Sequence, residues 1–277
     1  MLKVALSHDI DRISKTYQYF THFTRSLIKS QFKDSFYQIK SLFLKNTYWN
    51  FDEIIKIENA YNVKSTFFFL NESLKFNVLD VNNWALSLGR YNIYDKKIIE
   101  IIKWLDQNGW EIGVHGSYNS FKDYDLLKNE KRILENIVGH EIIGIRQHFL
   151  NLYEKTWDIQ KRLGFKYDSS FGYTEDIGFK EGKIVPFSPF EDEFTVYPQI
   201  IMDTPFMENN NRWHILDEII ATSIENKSLL VINWHNDKFN ENEFPGFKKA
   251  YLNIIEKCIS NNAIFYKLGD YFENGNK

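Results

Sequence analysis

The sequence predicts an α/β protein whose strands form one parallel sheet, closed into a barrel or left open. Short apolar or β-branched runs, typical of buried strands, alternate with longer segments whose apolar residues recur at helical spacing. About seven strand–helix pairs follow one another, and such strict alternation is typical of parallel sheets. The 277 residues contain no internal repeat, low-complexity run or Pro/Gly-rich linker, so we expect a single domain over residues 1–277.

The individual elements follow from local sequence patterns. Runs rich in β-branched and aromatic residues, such as residues 63–70, predict strands. Gly109 and Gly164 each follow a helical pattern, at the position where glycine commonly ends a helix. The predicted strands lie within residues 3–12, 63–70, 110–117, 141–149, 165–173, 187–203 and 229–237, with a short last strand over 263–268. The predicted helices lie at residues 51–61, 95–108, 123–138, 153–163, 213–226 and 247–259, and residues 71–94 are predicted to form a loop.

A helical hairpin is predicted as an insertion after the first strand, over residues 13–48. Between residues 13 and 46 it carries six basic residues against a single acid, Asp34. Three interpretations stay open: a lid that packs on the domain, a surface that contacts a membrane, or a site for an anionic lipid-linked sugar. The apolar stripes are Tyr17, Phe20, Phe23 and Leu27, and then Phe36, Ile39, Leu42 and Phe43. The basic residues are Lys15, Arg25, Lys29, Lys33, Lys40 and Lys45.

Composition excludes several classes of protein. Hydrophobic residues make up 43% of the chain and aromatic residues 17%, which excludes a disordered protein. The net charge of −3 argues against a general nucleic-acid binder. The single cysteine, Cys258, excludes an intramolecular disulfide, and we identify neither a signal peptide nor a membrane span. We therefore expect a cytoplasmic protein, which would lie at the inner face of the membrane if the inserted segment binds lipid.

Polar side chains end several of the predicted strands. The first strand ends in Asp9 and Asp11, which strand alternation places on one side of the sheet. Two carboxylates so close together repel, so we expect a bound cation or a retained proton, unless they simply cap a helix. The carboxyl ends of parallel strands meet at one rim, where parallel barrels place their active sites. The other polar strand ends are His115, Arg146 with His148, and His235 with Asp237.

These residue types suit metal-assisted hydrolysis. Carboxylate oxygens and imidazoles are ligands for zinc, manganese, iron or cobalt, and Asp11 and His115 are the first candidates. A metal there would polarise a carbonyl and lower the pKa of a bound water. Asp9 could take the proton of that water as general base, and Arg146 could orient Asp9 and keep it ionised.

A proton donor would complete the set. His235, on a distant strand, could protonate a departing amine, with Asp237 or Asp168 adjusting its pKa. Hydrolysis of an amide or an ester requires such a set: a metal, a base, a residue that orients the base, and an acid.

In their order along nearly the whole chain, these motifs resemble the polysaccharide deacetylase family of carbohydrate esterases. That family opens with a strand ending in an Asp pair, one acting as base and one as metal ligand, and residues 7–11 here read Ser-His-Asp-Ile-Asp. Its second motif is a strand ending in His with a further His four residues on, here residues 114–120. Its third begins with the Arg that orients the base, here Arg146, and its last carries a His after an apolar strand, here His235. The resemblance implies a distorted parallel barrel of about seven strands, with the hairpin inserted after the first.

The sequence departs from the family at two points. The Asp pair is separated by one residue, which leaves open whether Asp9 or Asp11 is the base. Asn119 stands where the second metal-binding His is expected, and it could be a weak ligand or a helix cap. His148 could supply the missing imidazole, so the predicted metal ligands are Asp11, His115 and His148. Three residues are predicted to contact substrate: Asn119, Asp168 and Ser169.

The prediction is therefore a metal-dependent hydrolase, using zinc or else cobalt or manganese, that removes an N-acyl group from an amino sugar. Residues 7–11, 48–51 and 146–148 further resemble the subgroup associated with surface-polysaccharide and O-antigen synthesis. The substrate would be a surface glycan or its lipid-linked or nucleotide-linked precursor, with residues 13–48 holding the phosphates of the carrier. The main alternative is a non-catalytic sugar-binding or assembly protein on a decayed barrel, and a third is a phosphoesterase.

Overall fold

The computed structural model describes residues 1–28, 32–43, 47–191 and 193–274. Lys29 and Lys45 of the inserted segment lie outside these ranges, and the side chains of Arg25, Lys33 and Asp34 are likewise not described. The strands are β1 (Lys3–Ile10), β2 (Thr66–Leu70), β3 (Glu111–Gly116), β4 (Gly144–Gln147), β5 (Tyr167–Asp168), β6 (Thr195–Val196), β7 (Gln199–Met202), β8 (Leu229–Asn233) and β9 (Ile264–Tyr266). The helices are α1 (Gln18–Ile28), α2 (Phe32–Ser41), α3 (Phe51–Ala60), α4 (Val81–Ser87), α5 (Lys96–Gln107), α6 (Tyr124–Val138), α7 (Thr156–Arg162), α8 (Asp203–Glu208), α9 (Arg212–Glu225), α10 (Phe247–Ser260) and α11 (Leu268–Asn274).

The described strands form one sheet in which every strand pair is parallel. Its order is β6-β5-β4-β3-β2-β1-β8-β7, with β9 also beside β1. A bridge between Gly172, which follows β5, and Gln199 of β7 brings the two sides of the sheet together. The sheet therefore curls into a distorted barrel with helices around it, which confirms the predicted fold class. It holds nine described strands rather than about seven, because the region after β4 is divided into short strands, two of them only two residues long.

Three short helices, α4, α8 and the C-terminal α11, were not predicted. α4 lies in the predicted loop of residues 71–94, and its seven residues, which include two asparagines, are too few to show a helical period. α8 begins at Asp203, where the prediction still placed a strand, and contains Pro205. Proline is tolerated in the first turn of a helix, where its missing N–H would have no partner, so it marks the start of α8 rather than a break.

The inserted segment forms the predicted hairpin. α1 and α2 pack against each other, with the hydroxyl groups of Ser26 and Ser35 2.8 Å apart. Across the described residues, no helix combines the length and the apolar character needed to cross a bilayer.

A buried polar network fixes β1, the strand that carries Asp9 and ends just before Asp11. His8 lies between an acceptor on either side, 2.6 Å from the carbonyl oxygen of Trp234 and 2.9 Å from the carboxylate of Glu58. That carboxylate also accepts hydrogen bonds from Trp110 of the loop before β3 and from Tyr251 of α10. Both His8 and Glu58 are completely buried, so each depends on the other to compensate its desolvation. The network ties β1 to the chain immediately before His235.

Candidate metal and catalytic centre

The carboxyl ends of the strands bring the predicted polar residues into one cavity. Asp9 lies in β1 and Asp11 follows it, His115 lies in β3, His148 follows β4, and His235 lies just beyond β8. All five side chains line a cavity of about 870 Å3. These five residues therefore lie together at one rim of the barrel, as predicted for the polar strand ends.

Three of these side chains converge on one point. Oδ1 of Asp11 lies 3.2 Å from Nε2 of His115 and 3.3 Å from Nδ1 of His148, and the two nitrogens are 3.1 Å apart. In a tetrahedral zinc site with bonds of about 2.0–2.1 Å, neighbouring ligand atoms are about 3.3–3.4 Å apart. The three atoms therefore have the spacing expected of ligands to one transition-metal ion.

The state of Asp11 supports the same interpretation. Burial opposes its negative charge, but the imidazoles of His148 and His115 lower the pKa of Asp11 well below its ordinary value. Its Oδ1 atom is buried and makes no well-aligned hydrogen bond, although an imidazole nitrogen of His115 and one of His148 lie 3.2 and 3.3 Å away. A buried charged oxygen without an aligned donor is costly, and a cation between the three side chains would satisfy it. The donor set and the orphaned oxygen thus fit a divalent transition metal.

The two imidazoles are oriented by different partners. Nδ1 of His115 lies 2.9 Å from the carbonyl oxygen of Arg146, to which it can donate, which leaves the lone pair of Nε2 free for a metal. Burial lowers the pKa of His148 to about 4, so this ring is neutral at neutral pH. Nε2 of His148 faces the guanidinium of Arg90 at 2.9 Å. Because an imidazole bound through Nδ1 carries a proton on Nε2, Arg90 would have to release that nitrogen when a metal binds.

Asp9 occupies a different environment from Asp11. Its Oδ1 accepts a hydrogen bond of 2.8 Å from Arg146, and its Oδ2 accepts one of 2.7 Å from Asn233. Burial would raise the pKa of Asp9, but the Arg146 guanidinium and the nearby imidazoles lower it below the ordinary value. Asp9 is therefore ionised at neutral pH and oriented from both of its oxygens.

Hydrogen bonds also fix the position of the Arg146 guanidinium. Its side chain is completely buried, and Nη1 also donates to the hydroxyl of Ser7 at 2.9 Å. Nε and Nη2 donate to the carbonyl and hydroxyl oxygens of Ser169 at 3.0 and 2.9 Å. With donors on both sides engaged, the guanidinium has little freedom to move away from Asp9.

His235 faces Asp9 across the cavity. Its Nε2 lies 3.9 Å from Oδ2 of Asp9, and its Nδ1 and backbone N–H both donate to Oδ2 of Asp203, at 2.7 and 2.6 Å. Burial alone would lower the pKa of His235, but the carboxylate of Asp203 outweighs burial and raises it to about 10. The same pairing lowers the pKa of Asp203. His235 is therefore a protonated imidazolium at neutral pH, with one N–H directed into the cavity.

One predicted pairing is wrong. The carboxylate that adjusts the pKa of His235 is Asp203, and neither Asp237 nor Asp168 does so. Asp237 pairs instead with Lys238 at 2.9 Å. Asp203 reaches His235 because α8 starts directly after β7, which lies beside β8 in the sheet.

The predicted substrate contacts do not line the cavity. Asp168 is completely buried, and its carboxylate accepts hydrogen bonds from three neighbouring side chains. Ser169 is occupied by Arg146, as described above. Asn119 lies in the turn after β3 and belongs neither to the converging ligands nor to a side-chain helix cap. Asp168 and Ser169 thus support neighbouring residues, and the contact of all three residues with substrate stays a prediction.

Two further site residues were not singled out from the sequence. Asn233 lies two positions before His235 in the same strand motif, so strand alternation could have predicted that both side chains face the same side. Arg90 lies between α4 and α5, in the stretch predicted to be a loop, and no local pattern connects it with the site.

Comparison with known proteins identifies the fold. No protein-family model matches the sequence, and no curated protein matches it. A putative polysaccharide deacetylase from Mycobacterium smegmatis is similar in structure with a TM-score of 0.60 and 15% identity, covering 98% of this chain and 89% of that one. A probable polysaccharide deacetylase from Pseudomonas aeruginosa PAO1 gives a TM-score of 0.59 with 13% identity and coverages of 98% and 90%. PuuE allantoinase gives 0.58 with 13% identity and coverages of 98% and 89%. At these identities the likeness shows a shared fold, the barrel found in these deacetylases.

We predict that elemental analysis of protein purified without chelator will find about one transition metal per chain. Asp11→Ala, His115→Ala and His148→Ala should each lose it, because each removes one of the three converging atoms. Asn119→Ala should retain the metal, and Asp9→Asn should retain it as well, since its carboxylate binds Arg146. Metal loss in Asn119→Ala together with retention in His148→Ala would show that the third ligand is misassigned.

Proposed function

We propose that this chain is a metal-dependent hydrolase that removes an N-acyl group, acetyl in the simplest case, from an amino sugar. The observation that carries the proposal is the presence, in one cavity, of three metal-type ligands, an ionised carboxylate and a protonated imidazole. The likeness in fold to polysaccharide deacetylases supports carbohydrate deacetylation as the general activity. Zinc is our first choice of metal, because two imidazoles and one carboxylate suit it, with cobalt and manganese as alternatives.

Asp11, His115 and His148 would hold the metal. When bound there, a divalent ion supplies Lewis acidity, which polarises the acyl carbonyl and acidifies the attacking water. All other steps of the proposed reaction belong to side chains of the chain itself.

Asp9 would act as the general base. It is ionised at neutral pH and lies beside the ligand cluster, where it can accept a proton from the attacking water. Arg146 and Asn233 fix the direction of its two oxygens. Because Asp9 and Arg146 are both buried, this carboxylate cannot rotate away without leaving an unpaired charge in the interior.

His235 would act as the general acid. The departing amine needs a proton as the bond between carbon and nitrogen breaks, and the N–H of His235 is directed into the cavity close to Asp9. Asp203 keeps that proton in place over the physiological pH range. Asp9 and His235 thus have the opposite protonation states that a base and an acid require.

The cavity suits a sugar derivative in size and lining. Its volume falls in the range of small-molecule sites. Tyr48, Phe149, Phe244 and Phe247 contribute to its lining and offer apolar surfaces for the faces of a sugar ring. We infer that the substrate is an acylated amino sugar of a surface glycan, or of its lipid-linked or nucleotide-linked precursor.

The direct test is acetate release from N-acetylated amino sugars, offered as free oligosaccharides and as nucleotide-linked sugars to metal-loaded protein. We expect Asp9→Asn to lower kcat by at least about 100-fold while the metal content is unchanged, because the base is lost and the three metal ligands remain. Asp237→Asn is the matched control, since it neutralises another carboxylate of the same cavity, and should change kcat by less than about tenfold. Absence of acetate release from every substrate, with tight sugar binding, would favour the non-catalytic alternative.

The acid assignment predicts a change in pH dependence. Asp203→Asn removes the carboxylate that raises the pKa of His235 to about 10, whereas Asp9, Asp11 and the nearby Lys238 remain. The pKa of His235 should then fall toward the ordinary value of about 6.5, so His235 loses its proton at lower pH. The alkaline limb of the kcat/KM profile should move down by about two units or more.

Asp203→Glu keeps the negative charge and serves as the control for that experiment. It should retain most of the alkaline limb of the wild-type protein. An alkaline limb that stays in place in Asp203→Asn would contradict the assignment of His235 as the acid.

A further inference from the structure

The α1–α2 hairpin is built with its polar side inward. The side chains that it buries are mostly polar, whereas most of its large apolar side chains face solvent. The buried polar residues are Lys15, before α1, and Gln18, Ser26, Ser35, Gln38 and Ser41. The large exposed apolar residues are Phe20, Ile28, Phe32, Phe36, Leu42 and Phe43, each more than half exposed. A hairpin that served only to cover a soluble domain would show the opposite arrangement.

The polar side is explained by the cavity beneath it. Gln18, His22, Ser26 and Gln38 all line the cavity that holds the candidate centre. Lys15 donates to Gln38 at 2.6 Å and forms an ion pair with Glu243 of the loop before α10. The hairpin therefore roofs a polar cavity and is fastened to the domain through charged and polar contacts.

The exposed apolar side chains of the hairpin, by contrast, do not pack against the rest of the described chain. Phe20 and Ile28 are separated by eight positions of α1, and Phe32, Phe36 and Phe43 follow helical spacing through and just past α2. The exposed fractions of these five side chains lie between 70% and 84%. Several large, strongly exposed apolar side chains on one short segment are typical of a binding face.

Charge indicates what binds there. Of the six basic residues between positions 13 and 46, Lys15 is buried against Glu243, and the sequence leaves five basic residues against one acid. Two copies of so basic a segment would repel each other, whereas an anionic lipid surface would attract it. Helices of 11 and 10 residues are too short to span a bilayer, which takes about 20 residues.

We propose that the outer face of the α1–α2 hairpin docks on the surface of an anionic lipid membrane. The aromatic side chains enter the boundary between headgroups and acyl chains, and the net positive charge of the segment attracts the anionic headgroups. The inner face of the same two helices lines the cavity, so docking places the candidate centre one helix layer from the membrane. This inference stands on the hairpin alone and does not depend on the proposed hydrolysis.

Vesicle co-sedimentation tests the proposal on the full chain, with vesicles of phosphatidylcholine alone and of phosphatidylcholine mixed with phosphatidylglycerol. We expect binding to the mixed vesicles, weak binding to the neutral ones, and a marked loss of binding at about tenfold higher salt. The triple variant Phe20→Ser, Phe36→Ser and Phe43→Ser should bind at least about tenfold more weakly. Charge reversal at Lys29 and Lys33 should weaken binding by about fivefold or more per residue.

The matched control carries the same kind of change elsewhere on the surface, namely Leu79→Ser with Val185→Ser, which removes exposed apolar side chains outside the hairpin. It should bind the mixed vesicles as the unaltered chain does, and unchanged thermal unfolding would show that each variant is folded. Failure to bind the mixed vesicles, or equal binding to neutral and anionic vesicles, would overturn the proposal. A dimer that the triple serine variant disrupts, in the absence of vesicle binding, would also overturn it and assign the face to a second copy.

Discussion

The buried ion pair between Arg146 and Asp9 is the interaction on which the candidate centre depends. The guanidinium is completely buried, and Asp9 provides the negative charge that compensates it. The backbone carbonyl of Arg146 also lies 2.9 Å from Nδ1 of His115, so the same residue orients the base and one metal ligand. Removing either partner would leave a buried charge unpaired, at a cost of about 3–5 kcal/mol. The geometry of the centre and the stability of the barrel are thus connected at one residue.

This pair also explains how two carboxylates can lie within three residues at the end of β1. Asp9 is compensated by Arg146, and Asp11 is directed toward two imidazoles, so the two charges have separate partners. Across the cavity, Asp203 gives His235 a positive charge that faces Asp9. Environments that push the pKa values of neighbouring groups in opposite directions are typical of catalytic sites.

The sequence was sufficient to predict the residues at the strand ends, because the rim of a parallel barrel is fixed by topology. Strand alternation placed Asp9 and Asp11 on one side, and the resemblance to deacetylases indicated how Arg146 and His235 would act. His148 was predicted as a ligand because a second imidazole was missing from its expected position. These predictions use short-range patterns together with one rule about where parallel strands end.

Residues that reach the centre from other elements could not be predicted in this way. Asp203 meets His235 only because α8 starts where β7 ends, and Arg90 comes from a connection with no recognisable pattern. Asp168 and Ser169 were predicted to contact substrate, but they do not line the cavity, because the sequence does not indicate the direction of the side chains in and after a two-residue strand. The hairpin shows the same limit: its helical period was clear, whereas the inversion of its polar and apolar sides became visible only in three dimensions.

The measurement that tests this account most directly is a crystal structure of cobalt-loaded protein with anomalous data collected at the cobalt edge. We predict one strong anomalous peak bonded to Oδ1 of Asp11, Nε2 of His115 and Nδ1 of His148. Asp9 should remain hydrogen bonded to Arg146, outside the ligand set. A peak bonded to Asp9, or no peak in this cavity at full loading, would contradict the division of the two carboxylates into ligand and base.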